Sequence, residues 1–294
     1  MILAAIDIGS NAARLLITEV EKNGKETQFN RLNLIRIPLR LGFDVFDKGF
    51  IGSKKKRMLI DTIKAFKQLM KVYDVEHYMA CATSAMRDAE NTKEIIKEIE
   101  LETSIEIEVI TGELEAEIIY ENHIAELLDD DQSYLYIDVG GGSTELTLYH
   151  KSHLVLQKSF NIGTVRLLAG KNKDEIWQEL KDTLKELSKE HNQLIGIGSG
   201  GNINKLFSII GSKNSNSLSS EAIGTIYKEM QSLTVEERML KYAIKKDRAE
   251  VILPALTIYN NILKWANITE INVPKIGLAD GLIRHLYDTI LKEK

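Results

Sequence analysis

The residues of this chain best suited to chemistry are acids set beside glycine turns. Asp138-Val139-Gly140-Gly141-Gly142-Ser143-Thr144-Glu145 follows an apolar strand and places three glycines and two hydroxyls between carboxylates. Glycine strips away side-chain bulk where a phosphate must approach the backbone, and consecutive amides in such a turn form an anion cradle. Asp7-Ile8-Gly9-Ser10-Asn11 is a shorter version in which Ser10 and Asn11 add side-chain donors. An acid beside a phosphate loop implies a cation between them, so Asp7 points to Mg²⁺, bound through water. For both strings the alternative is a plain hairpin or Gly-rich turn. Two such turns facing each other across a cleft could clamp one phosphate chain.

Other strings carry weaker versions of this chemistry. Gly198-Ser199-Gly200-Gly201-Asn202 follows an apolar strand and opens a helix, where free amides and the helix dipole favour an anion. In Thr83-Ser84-Ala85-Met86-Arg87-Asp88, hydroxyls and a guanidinium could hold phosphate, or could simply start a helix with a surface ion pair. Arg166 is a candidate of the same type. Glu113, Glu115 and Glu117 open a helix after Thr111-Gly112. They read either as favourable charge at a helix N-terminus or as a source of the base that hydrolysis by water requires. The histidines show no paired ligand spacing. His150-x-x-His153 lies at a strand end, and all six histidines read as structural.

The elements that must position these groups follow from apolar periodicity. Strand, Asp-x-Gly turn and returning strand occur twice, at Asp7 and at Asp138, which predicts two similar α/β half-domains. A helix from Glu113 to Leu128 and the acidic run Asp129-Asp130-Asp131 place the boundary near residue 129. The expected domains are 1–128 and 129–294, with packing of the last helix back on the first domain left open. Strands are expected at Leu34–Leu39 and Ile105–Ile110, and helices at Met58–Tyr73, Lys173–Lys189 and Ala249–Trp265. The 294 residues suit two domains, and 44% hydrophobic with 28% charged residues is a globular composition.

The net charge of −5 argues against a nucleic-acid binder that relies on general phosphate neutralisation. The basic run Lys54-Lys55-Lys56-Arg57 reads as a solvated helix turn or a polyanion-guiding patch. No apolar run approaches the roughly 20 residues that span a bilayer, and Ile2–Ile6 is too short for a signal-peptide core. Cys81 is the only cysteine, which excludes a disulfide framework and suits a reducing, cytoplasmic setting.

Taken together, these strings resemble the exopolyphosphatase / guanosine pentaphosphate phosphatase family of the actin-like superfamily. The likeness includes Asp7–Asn11 with Arg14, Ala82–Ala89, Gly112-x-x-Glu115-Ala116, Asp138–Leu146, Gly163-x-Val165-Arg166-Leu167, Gly198-x-Gly200-Gly201 and Gly277-Leu278-x-x-Gly281. The resemblance implies two ribonuclease-H-like domains with the active site in the cleft between them. It implies Glu115 as the catalytic carboxylate, because the family's Glu-Ala pair falls there. Asp7, Asp138 and Glu145 would hold Mg²⁺ or the attacking water. Ser10, Asn11, Arg14, Thr83, Ser84, Arg87, Gly140, Gly141, Gly142, Ser143, Thr144, Gly200 and Gly201 would bind phosphate.

The resemblance implies inorganic polyphosphate or a guanosine penta- or tetraphosphate as substrate, and a homodimer as the working form. Ala12 stands where the family has a hydroxyl, and Asn202 where it has threonine. The alternatives are a non-catalytic polyphosphate or alarmone sensor, a kinase or ATPase of the same superfamily, and an actin-like filament protein.

Overall fold

The computed structural model describes all residues except Lys25, 122–131, Ser152, Asn172, Asn192, 212–214, Lys275 and 293–294. The chain divides into two units: Met1–Asn122 with Leu278–Lys294, and His123–Gly277.

In the first unit, β1 (Ile2–Ile8) is buried almost throughout and pairs on both sides, as its apolar run Ile2–Ile6 requires. The Asp7 turn leads to β2 (Ala13–Asn23) and then β3 (Glu26–Ile37). There follow α1 (Gly42–Lys48), α2 (Ser53–Val72), β4 (His77–Ala82), α3 (Ser84–Asp88), α4 (Thr92–Thr103), β5 (Glu108–Val109) and α5 (Gly112–Glu121). The sheet order is β3-β2-β1-β4-β5, with β1, β2 and β3 antiparallel and β4 and β5 running parallel to β1.

The second unit repeats the opening hairpin with β6 (Ser133–Val139), β7 (Thr144–His150) and β8 (His153–Phe160). It continues through α6 (Thr164–Leu168), α7 (Asp174–Glu190), β9 (Leu194–Ser199), α8 (Gly200–Ile210), β10 (Ser217–Ser219), α9 (Ser220–Gln231), α10 (Val235–Lys241), α11 (Lys246–Trp265) and β11 (Glu270–Asn272). Its sheet order is β10-β11-β9-β6-β7-β8, with β6, β9 and β11 parallel. The last helix, α12 (Leu278–Lys292), belongs to the first unit and packs against α5 and β1.

Each unit has its own core. Leu3, Leu16, Ile118, Leu282 and Ile283 fill the first; Leu135, Ile137, Leu146, Leu180, Leu184, Ile203 and Leu256 fill the second. Burying each such side chain contributes about 1.5–3 kcal/mol.

Several elements differ from the sequence expectation. The strand expected over Ile105–Ile110 is reduced to two residues, because only Cys81 and Ala82 at the end of β4 face it. The strand expected at Leu34–Leu39 is the end of the longer β3, which stops at Ile37 before Pro38. Helices α1 and α6 and strands β8, β10 and β11 go beyond the sequence expectation. The helix expected from Glu113 is described only as far as Glu121, and its expected remainder to Leu128, with Asp129-Asp130-Asp131, lies outside the described residues.

The basic run of α2 is engaged by acids: Lys55 with Asp44 at 2.9 Å, Lys56 with Glu98 at 2.8 Å and Glu94 at 3.0 Å, and Arg57 with Asp61 at 3.3 Å. That arrangement favours a structural helix face over a polyanion patch. Among the described residues no helix is long and apolar enough to cross a membrane.

Candidate functional site

In the first unit, β1, β4 and β5 are parallel neighbours, so the segments leaving their carboxyl ends emerge along one edge of the sheet. In open α/β sheets this edge is where ligands bind. The turn after β1 closes with the Gly9 amide donating to the Ala12 carbonyl at 3.0 Å. From behind, the Arg40 amide donates to the Asn11 carbonyl at 2.9 Å and the Gly42 amide to the Ser10 carbonyl at 2.8 Å. The carbonyl side of the turn is thus occupied by protein. The Ser10 and Asn11 amides donate to no acceptor among the described residues. Asn11 Oδ1 is an orphaned buried polar atom at the same turn.

The other predicted residues of this unit lie on the adjoining segments. Ser10 and Ser84 share a buried hydroxyl–hydroxyl hydrogen bond of 2.8 Å, joining the segments that follow β1 and β4. Thr83 is buried beside them, and its amide donates to the Ile8 carbonyl at 3.1 Å. Arg87 donates to the Ile110 carbonyl at 2.8 Å, tying the β4 segment to the one after β5. Glu115 stands in the first turn of α5, beyond Gly112, with Thr111 Oγ1 accepting from the Leu114 amide at 3.2 Å.

Asp7 is buried and accepts from Arg14 at 2.9 Å. Burial nevertheless pushes its carboxyl above the ordinary value, with Arg14 opposing that shift and Asp280 adding to it. Cys81 lies among these acids. Burial first, then Glu108, Asp7 and Glu115, push its thiol up to about 12, so it stays protonated and inert.

The second unit builds its turn on the same plan. The Gly140 amide donates to the Ser143 carbonyl at 2.9 Å. The start of α6 then covers the carbonyl side. Thr164 N reaches Gly140 O at 3.1 Å, Val165 N and Arg166 N reach Gly141 O at 2.8 and 3.1 Å, and Arg166 Nε donates to Gly142 O at 2.7 Å. The Gly141 and Gly142 amides donate to no acceptor among the described residues. The approach is so close that a Cβ on Gly163 would lie 2.5 Å from the Gly141 and Gly142 backbone.

Thr144 turns its hydroxyl inward to the Ile162 carbonyl at 2.6 Å, and Glu145, also buried, accepts from Ser159 at 2.9 Å. Asp138 is partly exposed and sits against Gly200, where a Cβ would stand 2.6 Å from its Oδ1; Gly200 also has φ +85°. Gly201 follows in the first turn of α8. Asn202 donates inward to the Val139 carbonyl at 2.6 Å and ties the two glycine segments together.

Two side chains near these segments escaped the sequence reading. Arg248, at the start of α11, approaches the Gly201 carbonyl at 3.4 Å. Tyr259 is fully buried beneath the turn, and burial and the Asp138 carboxylate keep its hydroxyl protonated. Arg248 sits in a charged stretch and Tyr259 in an apolar helix face, with no local spacing to mark either one.

Among the described residues no group of three or more His, Cys, Asp or Glu forms a metal cluster. The donor chemistry still fits a magnesium ion that keeps most of its water, which needs only one or two carboxylates. Asp138 and Glu145 are direct cross-strand partners, and a cation between two facing carboxylates would lower their mutual repulsion. Asp7 has Arg14 in the corresponding place.

Two sheets, each opening with an antiparallel hairpin beside parallel strands and each carrying a glycine turn at that edge, define the ribonuclease-H-like, actin-like class of α/β proteins. The profile of the Ppx/GppA phosphatase family matches residues 20–290, and the chain belongs to that family. It is 32% identical over 214 residues to the bifunctional 3-dehydroquinate synthase/phosphatase of Fusobacterium nucleatum, covering 66% of this chain and 32% of that protein. It is 29% identical over 167 residues to exopolyphosphatase 1 of Mycobacterium bovis, covering 57% of this chain and 48% of that one. The chain therefore spans about a third to a half of the length of these curated relatives in the matched regions. A crystal structure of an exopolyphosphatase from Cytophaga hutchinsonii superposes with a TM-score of 0.82 at 26% identity, over 98% of both chains.

Proposed function

We propose that this protein is a phosphohydrolase that releases the terminal phosphate of inorganic polyphosphate or of guanosine pentaphosphate. The observation that carries this reading is the shared build of the two turns. In each, protein occupies the carbonyl side and two successive amides are left to donate, at Ser10-Asn11 and at Gly141-Gly142. Such amides hold a phosphate oxygen without any basic patch, which suits a chain of net charge −5.

Glu115 takes a proton from the attacking water as its oxygen bonds to the terminal phosphorus. The bridging P–O bond breaks, giving orthophosphate and a substrate one phosphate shorter. In the first unit the Gly9–Ala12 turn, with Ser84 beside it and Arg87 on the adjoining segment, would hold a phosphate, and the Gly140–Ser143 turn of the second unit offers the same kind of amide cradle. Asp138 and Glu145 would hold Mg²⁺, which supplies charge neutralisation for the phosphoryl oxygens.

The test is phosphate release from short and long polyphosphate, guanosine pentaphosphate and ATP, with and without Mg²⁺, for the wild type and Glu115→Gln. Release that is lost in the variant while substrate binding persists supports the reading. Tight binding with no release by the wild type would instead make the protein a sensor, and release from ATP alone would make it an ATPase.

A further inference from the structure

At the end of the second sheet away from the glycine turn, three elements meet. β6 begins at Ser133, β7 ends at His150 directly opposite it in the register, and α7 stops at Glu190 with His191 as its cap. Ser133 Oγ lies 2.8 Å from His150 Nδ1 and 3.2 Å from His191 Nδ1, and the two rings are 4.9 Å apart. The seven residues of β6 separate this cluster from Gly140 by about 20 Å.

Both imidazoles therefore aim the same nitrogen at one point. A serine hydroxyl carries a single hydrogen, so it can donate to only one of them and must accept from the other. Two imidazolium rings at this spacing would also repel each other. Burial first, and then His150, push the His191 ring below its ordinary value, with Glu190 opposing the shift.

We propose that His150 and His191 form a binding site for a borderline divalent transition-metal ion, zinc or copper, through their two Nδ1 atoms beside the Ser133 hydroxyl. Small ring rotations would bring two nitrogens that already face one oxygen to the roughly 2.0–2.1 Å that a zinc–imidazole bond needs. Imidazole suits zinc, copper and nickel, whereas magnesium prefers oxygen, so this site is independent of any magnesium at Asp138. With only two protein nitrogens the ion keeps open positions. Its structural effect is to staple the end of α7 to the β6–β7 hairpin. His153, the neighbour suggested by local spacing, turns its Nδ1 to the Lys151 carbonyl at 2.6 Å and remains exposed, which makes it the control.

The test uses the full chain freed of metal with a chelator and kept in magnesium-containing buffer at neutral pH. Zn²⁺ is titrated by calorimetry and unfolding is followed with and without it. The expected result is one Zn²⁺ per chain and a higher Tm with zinc. His150→Gln and His191→Gln should each weaken binding at least tenfold and abolish the Tm rise, while His153→Gln and Ser133→Ala retain both. Cu²⁺ bound to the wild type should show hyperfine coupling from two imidazole nitrogens, a readout that needs no variant to fold. Zinc binding unchanged in His150→Gln and His191→Gln would overturn the proposal, as would coupling from a single nitrogen in the wild type or no binding by the wild type.

Discussion

The turn after β1 and the turn after β6 share a backbone and differ in their charges. Both close a hairpin through an amide-to-carbonyl bond three residues apart, Gly9 to Ala12 and Gly140 to Ser143. Both follow an aspartate one residue before the strand ends, Asp7 and Asp138. The residue across the hairpin from that aspartate is Arg14 in the first unit and Glu145 in the second. The first acid has a cation supplied by the chain, and the second faces another acid. One repeated motif therefore carries two charge patterns: an acid opposite an arginine, and an acid opposite a second acid.

The largest effect expected lies outside both turns. Glu115→Gln should lower turnover by about 10²–10⁴ while leaving substrate affinity nearly unchanged, as measured by phosphate release beside equilibrium binding. A matching loss of affinity would mean that Glu115 belongs with the turns and not with the chemistry.

Next comes the second turn's packing. Gly163→Ala drives a Cβ into the Gly141-Gly142 backbone and should destabilise the protein by about 1–3 kcal/mol in urea unfolding. The substitution should also weaken phosphate binding, because the loop must move to make room. An unchanged midpoint and affinity would show that the loop yields freely.

The electrostatic contrast itself is tested with magnesium. At tenfold excess over its Kd, Mg²⁺ should stabilise the wild type by about 1.4 kcal/mol. Glu145→Gln should lose most of that gain in thermal unfolding, whereas Arg14→Gln should keep it. Equal losses in both variants would erase the proposed difference between the turns.

Asp7 gives the contrast a pH signature. Its folded-state carboxyl is raised by burial, so its contribution to stability is most favourable below the ordinary carboxylate value, about 4, and is lost as pH rises through the higher folded-state value. Asp7→Asn should therefore gain stability relative to wild type as pH is raised from about 4 toward neutrality. A gap in Tm that stays constant with pH would contradict that assignment. The smallest effect should come from Ser10→Ala, which removes the hydrogen bond to Ser84 at a cost of about 1 kcal/mol in unfolding free energy.

Much of this architecture is legible in the sequence because it is local. The apolar runs of β1, β4, β6 and β9, the glycines after them and the acids beside those glycines are all neighbours along the chain. Helices such as α7 and α11 declare themselves by their period. Elements fixed by distant partners were harder to read. β5 shrank to what β4 could pair with, and β8 has the ladder of β7 to form against. Site residues followed the same division. The turns were recognisable as strings, but Asn202 bridging to Val139, Tyr259 beneath the loop and Arg248 near Gly201 come from parts of the chain far from the residues they meet.

The sequence alone determined the repeated strand–turn–strand unit, the glycine cradles and the carboxylates beside them, because backbone freedom and strand alternation depend on adjacent residues. The tertiary structure decided which charge stands across from each aspartate, which side of each turn is covered, and that α12 joins the first unit. It also brought together His150 and His191, which come from different elements. These outcomes depend on register and long-range packing, where residues distant along the chain meet only because the folded backbone places them at one point.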